Sequence, residues 1–238
     1  MNLRKTFVAF VVMMAWGMVQ QAPATIYSDT LADLVNSHGS LTIGDKTFSG
    51  FSYLANGMTA FDANNILVTA SQSSDGVYHL TWSGQVAFLV SAGPAVADLL
   101  LSYTVTANPG QIIGIDQSYV GSGQPASGSF LAVDESVYAG ANVVAYSHLE
   151  RGDMSDPPAE TIQGDQLIIN PPQSTLTVVK DISFAINAPT GGFVTISQVE
   201  QSFEQAAVPE PTTVVAGILL LLPLGASTLK ILRTKKIV

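Results

Sequence analysis

Apolar and polar residues alternate along much of the chain, and this period of two is typical of β-strands that bury one face. The clearest segments are Tyr78–Val90 and Ser174–Asn187. Their apolar members are Tyr78, Leu80, Trp82, Val86, Phe88 and Val90 in the first segment, and Leu176, Val178, Ile182, Phe184 and Ile186 in the second. The intervening polar members are His79, Thr81, Ser83 and Gln85, and Thr175, Thr177, Asp181 and Ser183. Both segments therefore predict strands with one face on a core and the other toward solvent.

Clusters of turn-forming residues separate the alternating segments. Glycine, proline, asparagine and aspartate favour turns because of their backbone preferences and short polar side chains. The clusters are Gly44-Asp45, Asp75-Gly76, Asn108-Pro109-Gly110, Gly121-Ser122-Gly123, Asp156-Pro157-Pro158 and Gly191-Gly192. At this spacing the chain divides into about ten strands, which predicts an all-β fold, an antiparallel β-sandwich of jelly-roll-like type.

One short helix is predicted before these strands. The run SDTLADLVNS places Leu31, Leu34 and Val35 on one helical face. Its first residues, Ser28 and Asp29, are both suited to cap the start of a helix.

The N-terminal end has the composition of a secretory signal peptide. Arg4 and Lys5 precede the apolar run Phe7–Val19, which is too short to span a bilayer comfortably. Ala22 and Ala24 supply the small residues that a signal peptidase requires, so we predict cleavage after Ala24. The alternative is an uncleaved anchor or a buried helix.

The C-terminal end contains a second apolar segment. Thr212–Leu229 is 18 residues long and carries no charge, which suffices for a transmembrane helix. The basic end that follows, 230–238, contains Lys230, Arg233, Lys235 and Lys236. Because basic residues that flank a membrane helix stay in the cytoplasm, the body is expected outside. The alternative is a hydrophobic core helix of a soluble protein.

A short motif joins the body to this apolar segment. It consists of Val208, Pro209, Glu210 and Pro211. Each proline keeps the preceding residue out of the helical conformation, so we expect the motif to be extended above the membrane, as protease clefts require. The alternative is a juxtamembrane linker with no specific role.

The succession of this motif, an apolar helix and a basic end closely resembles the PEP-CTERM sorting signal of Gram-negative bacteria. The resemblance covers Val208–Lys236, and the basic end departs from the usual arginine-rich pattern by being mostly lysine. It implies recognition by an exosortase, a membrane-embedded cysteine protease-like enzyme, with removal of the tail near the motif. The same type of tail also occurs at the C-terminus of some ice-binding proteins, which describes the tail and not the body.

The body resembles a group of PEP-CTERM ectodomains. The resemblance lies in TIYSDTLADLVNSHGSLTIGDKTFSGFSYL near the start of the body and STLTVVKDISF near its end. It implies no assigned activity. The family is linked to bacteria that produce exopolysaccharide and form biofilms or flocs.

Charge separates the body from the two ends. All 18 acidic residues lie between Asp29 and Glu210 with only three basic residues, whereas both ends are purely basic. An acidic body repels nucleic acid and anionic lipid, so no nucleic-acid partner is expected. The chain has no cysteine, which excludes disulfides and cysteine-ligated metals. We predict three parts: a signal peptide at 1–24, a β-sandwich ectodomain at 25–207 and a sorting tail at 208–238.

Residues suited to catalysis are scarce. His38, His79 and His148 lack the spacing of metal ligands, and His79 is expected to be solvated on the polar face of its strand. Neither a G-x-S-x-G elbow nor a P-loop occurs in the sequence. We therefore predict no catalytic residue, no metal site and no cofactor.

Two polar motifs allow a functional and a structural interpretation. Asp62, Asn64 and Asn65 suit either a Ca²⁺ loop or an Asx turn, and their spacing fits the turn better. Arg151–Asp153 spells an RGD adhesion sequence, which a polar turn containing glycine also explains.

These features predict a secreted, non-catalytic surface or extracellular-matrix protein. It is exported as a single-pass inner-membrane precursor with the ectodomain outside, and then reaches the cell surface or medium. Its expected partners are signal peptidase and exosortase as processing enzymes, the membrane through the C-terminal helix, and exopolysaccharide. The alternative is an extracellular carbohydrate-binding module or hydrolase on the same scaffold. Tyr53, Trp82 and Tyr119 are the aromatic residues considered for sugar stacking, although Trp82 falls on an apolar face.

Overall fold

The structure, a computed structural model, describes residues 26–124, 129–152 and 161–206. The predicted signal peptide and the predicted sorting tail lie outside these residues. Within the described ranges, no helix has both the length and the apolar character needed to cross a membrane.

Two antiparallel sheets of six strands each form the described part of the chain. The first sheet contains, in spatial order, β1 (Ile26–Thr30), β4 (Leu67–Gln72), β5 (Tyr78–Val90), β12 (Gly192–Gln205), β7 (Ile112–Gln124) and β10 (Thr161–Gln173). The second sheet contains β2 (Leu41–Ile43), β3 (Lys46–Asn56), β6 (Ala95–Ala107), β11 (Thr175–Ile186), β8 (Phe130–Ala139) and β9 (Asn142–Gly152). The predicted all-β sandwich is thus confirmed.

The chain changes sheet at most of its connections, as in a jelly roll. Strands that are far apart in sequence therefore become neighbours. The last described strand, β12, lies inside the first sheet between β5 and β7. This order brings the outward side chains of β5, β7, β10 and β12 together on one face.

The alternation in β5 and β11 buries the faces that it predicts. Their apolar members are buried, apart from Val90, which is half-buried. Trp82 is in the core, as expected. In β11 the inward face also includes Lys180, which lies between Val178 and Ile182 and is completely buried. The period of two thus places one charged side chain in the middle of the sandwich.

The aromatic side chains concentrate in the core. The ring centroid of Tyr103 lies 5.2 Å from that of Trp82, 6.2 Å from Phe48 and 6.5 Å from Phe203. All four side chains are buried. Aromatic pairs at these separations contribute about 0.5–1.5 kcal/mol each beyond the area that they bury. These aromatic side chains therefore stabilise the core and are not available to form an aromatic binding surface.

The predicted turn at Gly121-Ser122-Gly123 is wrong, because these residues belong to β7 and pair with β12. A Cβ atom added to Gly121 would lie 2.5 Å from the side chain of Leu131 and 3.1 Å from the carbonyl oxygen of Thr195. Glycine at position 121 therefore allows Leu131 and the backbone of Thr195 to lie close to β7, and it does not form a turn.

The single short helix is confirmed, but its cap differs from the prediction. Helix α1 spans Leu31–Asn36, and Thr30 is its N-cap, with Thr30 Oγ1 accepting a 3.1 Å hydrogen bond from the backbone N–H of Asp33. Ser28 and Asp29 belong to β1 instead, because they pair with β4. A one-turn 3₁₀ helix, Ala63–Asn65, precedes β4.

Candidate functional site

A polar cleft lies on the outer face of the first sheet. It has a volume of about 420 Å³, and its lining comes from β5, β7, β10 and β12: His79, Asp116, Gln117, Ser118, Gly164, Asp165, Gln166, Glu200 and Ser202. The strand register sets the outward side chains among them in rows across the sheet, whereas the side chain of Gln117 is buried on the inner face. His79 is paired with Ser202, Ser202 with Asp116, and Asp116 with Gln166. The cleft is therefore created by the order of the strands and not by any contiguous motif.

Hydrogen bonds pair the charged groups of the cleft with neighbours. His79 Nδ1 lies 3.0 Å from Glu200 Oε1, and Ser202 Oγ donates to Asp116 Oδ2 at 3.0 Å. The second oxygen of Asp116, Oδ1, is buried and lacks a hydrogen-bonding partner within the described residues. The His79 side chain is only 23% exposed, so its contact with Glu200 replaces the fully solvated state that was expected.

The cleft offers hydrogen-bonding groups but no aromatic platform. Among the described residues that line it, none is tyrosine, tryptophan or phenylalanine. Carboxylate, carboxamide and hydroxyl groups can together accept and donate hydrogen bonds to a hydroxyl-rich ligand. This chemistry favours a shallow polar contact over stacking.

The outer face of the second sheet carries an exposed group of charges. His148 Nδ1 lies 2.7 Å from Asp134 Oδ1, and its Nε2 lies 3.2 Å from Glu150 Oε2. Tyr146 donates its hydroxyl hydrogen to Asp134. The hydrogen bond to Asp134, followed by that to Glu150, raises the pKa of His148 above its usual value. These surface contacts therefore favour the protonated, positively charged form of the imidazole.

The interior contains a polar cluster, here called the central cluster. It consists of buried side chains from both sheets: Lys180, Glu135 and Ser147 with Tyr103 from the second sheet, and Gln117 and Gln201 from the first. No sequence motif marked this cluster. The one available signal was the phase of Lys180 within β11, because position 180 falls on the face that the alternation assigns to the core.

Lys180 is the centre of these contacts. Its Nζ donates hydrogen bonds to Gln117 Oε1 and Glu135 Oε2. Gln201 Nε2 donates to the same glutamate oxygen at 2.5 Å, and the hydroxyl of Tyr103 donates to Gln201 Oε1. Burial lowers the pKa of Lys180, although the charge of Glu135 opposes that shift. Three residues of the second sheet and two of the first thus meet in a space closed to solvent.

A second buried lysine lies at the start of β3, with residues of similar chemistry around it. Lys46 Nζ donates to Asp45 Oδ1 at 2.8 Å and to Gln205 Oε1. It also lies 4.4 Å from the centre of the Tyr78 ring, within range of a cation–π interaction. Burial lowers the pKa of Lys46, and the hydrogen bond to Asp45 opposes that shift.

The Asx interpretation of residues 62–65 is confirmed by their contacts. Asp62 caps the 3₁₀ helix and accepts hydrogen bonds from the backbone N–H of Asn64 at 2.9 Å and from the side-chain amide of Asn65 at 3.2 Å. The backbone hydrogen bond lowers the pKa of Asp62. Within the described ranges, no group of three or more His, Asp or Glu side chains is arranged to hold a metal ion.

The three aromatic residues considered for sugar stacking do not form a platform. Trp82 and Tyr119 are buried, and burial raises the pKa of Tyr119 to about 12. Only Tyr53 is exposed, and its ring packs against Phe61 with centroids 5.3 Å apart.

The remaining predicted residues fall into two groups. His38 follows α1 with a left-handed backbone, φ 53°, far from both other histidines in the sequence. Arg151 of the RGD sequence lies in β9, in a strand and not in the expected turn, whereas Asp153 is outside the described residues. The cleavage residues Ala22 and Ala24, the motif Val208–Pro211, and Lys230, Arg233, Lys235 and Lys236 also lie outside them.

Comparison with known proteins gives likenesses of fold only. No family model and no curated protein matches the chain. A xylan-binding module, CBM15, is similar over 78% of this chain and 100% of its own, at 16% identity and a TM-score of 0.32. An arabinose-bound GH51 α-L-arabinofuranosidase is similar over 63% of this chain and 24% of its own, at 13% identity and a TM-score of 0.28. A family two carbohydrate esterase from Cellvibrio japonicus is similar over 79% and 38%, at 9% identity and a TM-score of 0.28. At such TM-scores none of them identifies a ligand for this chain.

Proposed function

We propose that this chain is an exported, non-catalytic cell-surface or extracellular-matrix protein, whose β-sandwich is delivered by an N-terminal signal and processed at its C-terminal tail by an exosortase. The observation that carries the proposal is the succession of Val208–Pro211, the uncharged run Thr212–Leu229 and the basic end. Each part has a physical role: an extended recognition segment, a membrane span and a cytoplasmic stop.

The described surface is consistent with a scaffold. Most large aromatic side chains are buried in the core, and each outer face carries hydrogen-bonded charged groups, His79 with Glu200 on the first sheet and His148 with Asp134 on the second. Such a surface stays soluble when many copies are held close together, because like-charged acidic bodies repel one another.

The test is the mature C-terminus of the full chain in a host that has an exosortase. Mass spectrometry should find the chain cut near Val208–Pro211, with the body released from the membrane. Glu210→Ala removes the charge and keeps the proline-imposed backbone. The double variant Pro209→Ala with Pro211→Ala allows the motif to adopt a helical conformation. Both variants should leave the uncut chain in the membrane.

Two controls make this test specific. Glu204→Ala removes an acid six positions before Glu210, on β12, and should be processed normally. The wild-type chain in a host without exosortase should keep Val238. A wild-type chain that keeps Val238 in the exosortase host, or a double proline variant that is cut normally, would refute the proposal.

A second candidate function is binding of a polysaccharide in the cleft of the first sheet. It is favoured by the row of Asp116, Gln166 and Ser202, which presents carboxylate, amide and hydroxyl groups along one edge of an open cleft. Hydrogen bonds of this kind orient sugars even where stacking is absent.

The test compares variants on the two faces of the sandwich. Asp116→Ala should weaken binding of the host exopolysaccharide by about tenfold or more, the effect of losing a hydrogen bond to a charged group, and Gln166→Ala by about two- to tenfold, the effect of losing a neutral one. Glu150→Ala, on the outer face of the second sheet, is the matched control and should bind as the wild type does. Equal affinity of all four proteins, or no measurable affinity, would exclude the cleft as a polysaccharide site.

A further inference from the structure

The central cluster brings an amine, a carboxamide and a carboxylate into contact where solvent is absent. Lys180, Glu135 and Gln117 are each at most 1% exposed. The amine of Lys180 hydrogen-bonds to the carbonyl oxygen of the Gln117 side chain and to Glu135. Cδ of Gln117, the carbon that an amine would attack, is bonded to that same carbonyl oxygen. A nucleophile, an electrophile and a proton carrier are thus neighbours on three rigid strands.

We propose that Lys180 and Gln117 form an intramolecular amide bond, with Glu135 as the general acid–base group that moves the protons. The bond joins β11 of the second sheet to β7 of the first through their side chains. It is a modification that the chain performs on itself after folding, and it is independent of how the chain is exported.

The reaction balances without any added reagent. Lys180 first transfers a proton to Glu135, which leaves a neutral amine and a carboxylic acid. The lone pair of Nζ then attacks Cδ of Gln117, and the carbonyl π electrons move to Oε1. Glu135 gives its proton to Nε2 of Gln117 and accepts one from Nζ. The carbonyl forms again, the Cδ–Nε2 bond breaks, and Nε2 leaves as ammonia.

The surroundings favour each of these steps. Burial lowers the pKa of Lys180, so the neutral and nucleophilic amine is more accessible than it is in water. Glu135 Oε2 accepts a hydrogen bond from Gln201 Nε2. Glu135 Oε1 is buried without a hydrogen-bonding partner within the described residues, so it is available to carry a proton. Fixed strands hold the reactants together, which replaces a bimolecular encounter.

The leaving group is also held in place. Nε2 of Gln117 donates to Ser147 Oγ at 3.2 Å and to the carbonyl oxygen of Val133 at 3.4 Å. These contacts fix the plane of the amide while the amine approaches. The exclusion of water from this space protects the product bond from hydrolysis.

Lys46 provides a comparison within the same chain. It contacts Gln205 and Asp45, but the Asp45 side chain is 14% exposed and therefore reaches solvent. The ring of Tyr78 lies 4.4 Å from Lys46 Nζ and stabilises the ammonium form, which is not a nucleophile. We therefore expect no amide bond at Lys46.

Tryptic digestion of the full chain gives a direct test. Arg151 is the sole trypsin site between Gln117 and Lys180, so these two residues fall on the fragments 47–151 and 152–180. Trypsin does not cleave after an acylated lysine. After denaturation and digestion, fragment 47–151 should remain joined to a fragment that starts at 152 and continues past Lys180. The joined species should be lighter than its parts by one ammonia.

Three variants assign the roles. Lys180→Arg should abolish the joined species, because a guanidinium remains protonated. Glu135→Gln should slow its formation by about 10²- to 10⁴-fold, the usual contribution of a general acid–base group. Lys46→Arg is the matched control and should form the bond as the wild type does.

The wild-type protein alone can overturn the proposal, whatever the folding of the variants. Circular dichroism and protease resistance establish that the sample is folded. Complete cleavage after Lys180 in such a sample refutes the bond. A mass lower by one water, with a link to Glu135, refutes the assignment to Gln117. A link between Lys46 and Gln205 refutes the comparison on which the selectivity rests.

Discussion

Lys180 and Lys46 are two buried lysines with similar partners and different surroundings. Each amine contacts a glutamine carbonyl oxygen and a carboxylate. Lys180 lies between the sheets, where Glu135 is completely buried. Lys46 lies at the start of β3, where its carboxylate partner reaches solvent and the ring of Tyr78 supplies a further contact.

Because both lysine side chains are buried, the hydration of the carboxylate partner, and not the exposure of the lysine, distinguishes the two sites. In the middle of the sandwich the cost of desolvating an ion pair is high, and the hydrogen bonds from Gln201 to Glu135 and from Lys180 to Gln117 offset part of it. At the end of the sheet, the partly hydrated Asp45 and the ring face of Tyr78 stabilise the charge of Lys46. The first environment suits proton transfer and bond formation, whereas the second suits a permanent cation.

The largest expected effect comes from removing the buried carboxylate. Glu135→Ala removes the group that moves the protons, so Lys180 stays in the core as an unlinked amine without its carboxylate partner, which should lower the free energy of unfolding by about 3–5 kcal/mol. Denaturant unfolding followed by circular dichroism measures this change. Asp45→Ala is the matched control at the other lysine and should cost less than Glu135→Ala, because the Asp45 side chain is partly hydrated and the Tyr78 ring still contacts Lys46. Equal losses at the two sites would contradict the comparison.

A smaller effect is expected from the aromatic contact of Lys46. A double-mutant cycle with Lys46→Met and Tyr78→Leu should give a coupling energy of about 0.5–2 kcal/mol, the range of cation–π interactions. The same unfolding experiment measures all four proteins of the cycle. A coupling energy near zero would mean that Tyr78 contributes packing alone.

The smallest effect is expected at the surface, where His148 extends the series from buried to exposed charges. Hydrogen bonds to Asp134 and Glu150 raise the folded-state pKa of His148 above 6.5. The stabilisation is therefore complete below the unfolded-state pKa and is lost as the pH rises through the folded-state pKa. Because the side chain is 46% exposed, we expect less than about 1 kcal/mol.

This pH dependence has a simple measurement. The stability difference between the wild type and His148→Ala should be larger near pH 5.5 than near pH 8.5, two values that bracket the titration of histidine. In an Asp134→Asn background the pH dependence should shrink. A difference that grows with rising pH would have the wrong sign for these contacts.

Local patterns in the sequence predicted β5 and β11 and their buried faces correctly, apart from the half-buried Val90, whereas the expected number of about ten strands is lower than the twelve in the described residues. The alternation in β5 and β11 placed Trp82 in the core, and the Asx turn at Asp62 followed from residue types alone. The errors were local as well. Thr30 caps α1 because β1 pairs with β4 as far as Thr30, and Gly121 lies in a strand because β7 pairs with β12 there. In both cases a contact from another part of the chain overrode a local preference.

The sequence by itself determined the class of fold and the acidic charge of the body, and it predicts a sorting tail, because periodicity, charge and hydrophobic length act over short stretches of chain. Only the tertiary structure decided which residues meet. The polar cleft needs β5, β7, β10 and β12 side by side, and the central cluster needs Gln117 opposite Lys180 across the core. Both depend on strand order and register, which arise from packing two sheets against each other and leave no trace in the spacing of residues along the chain.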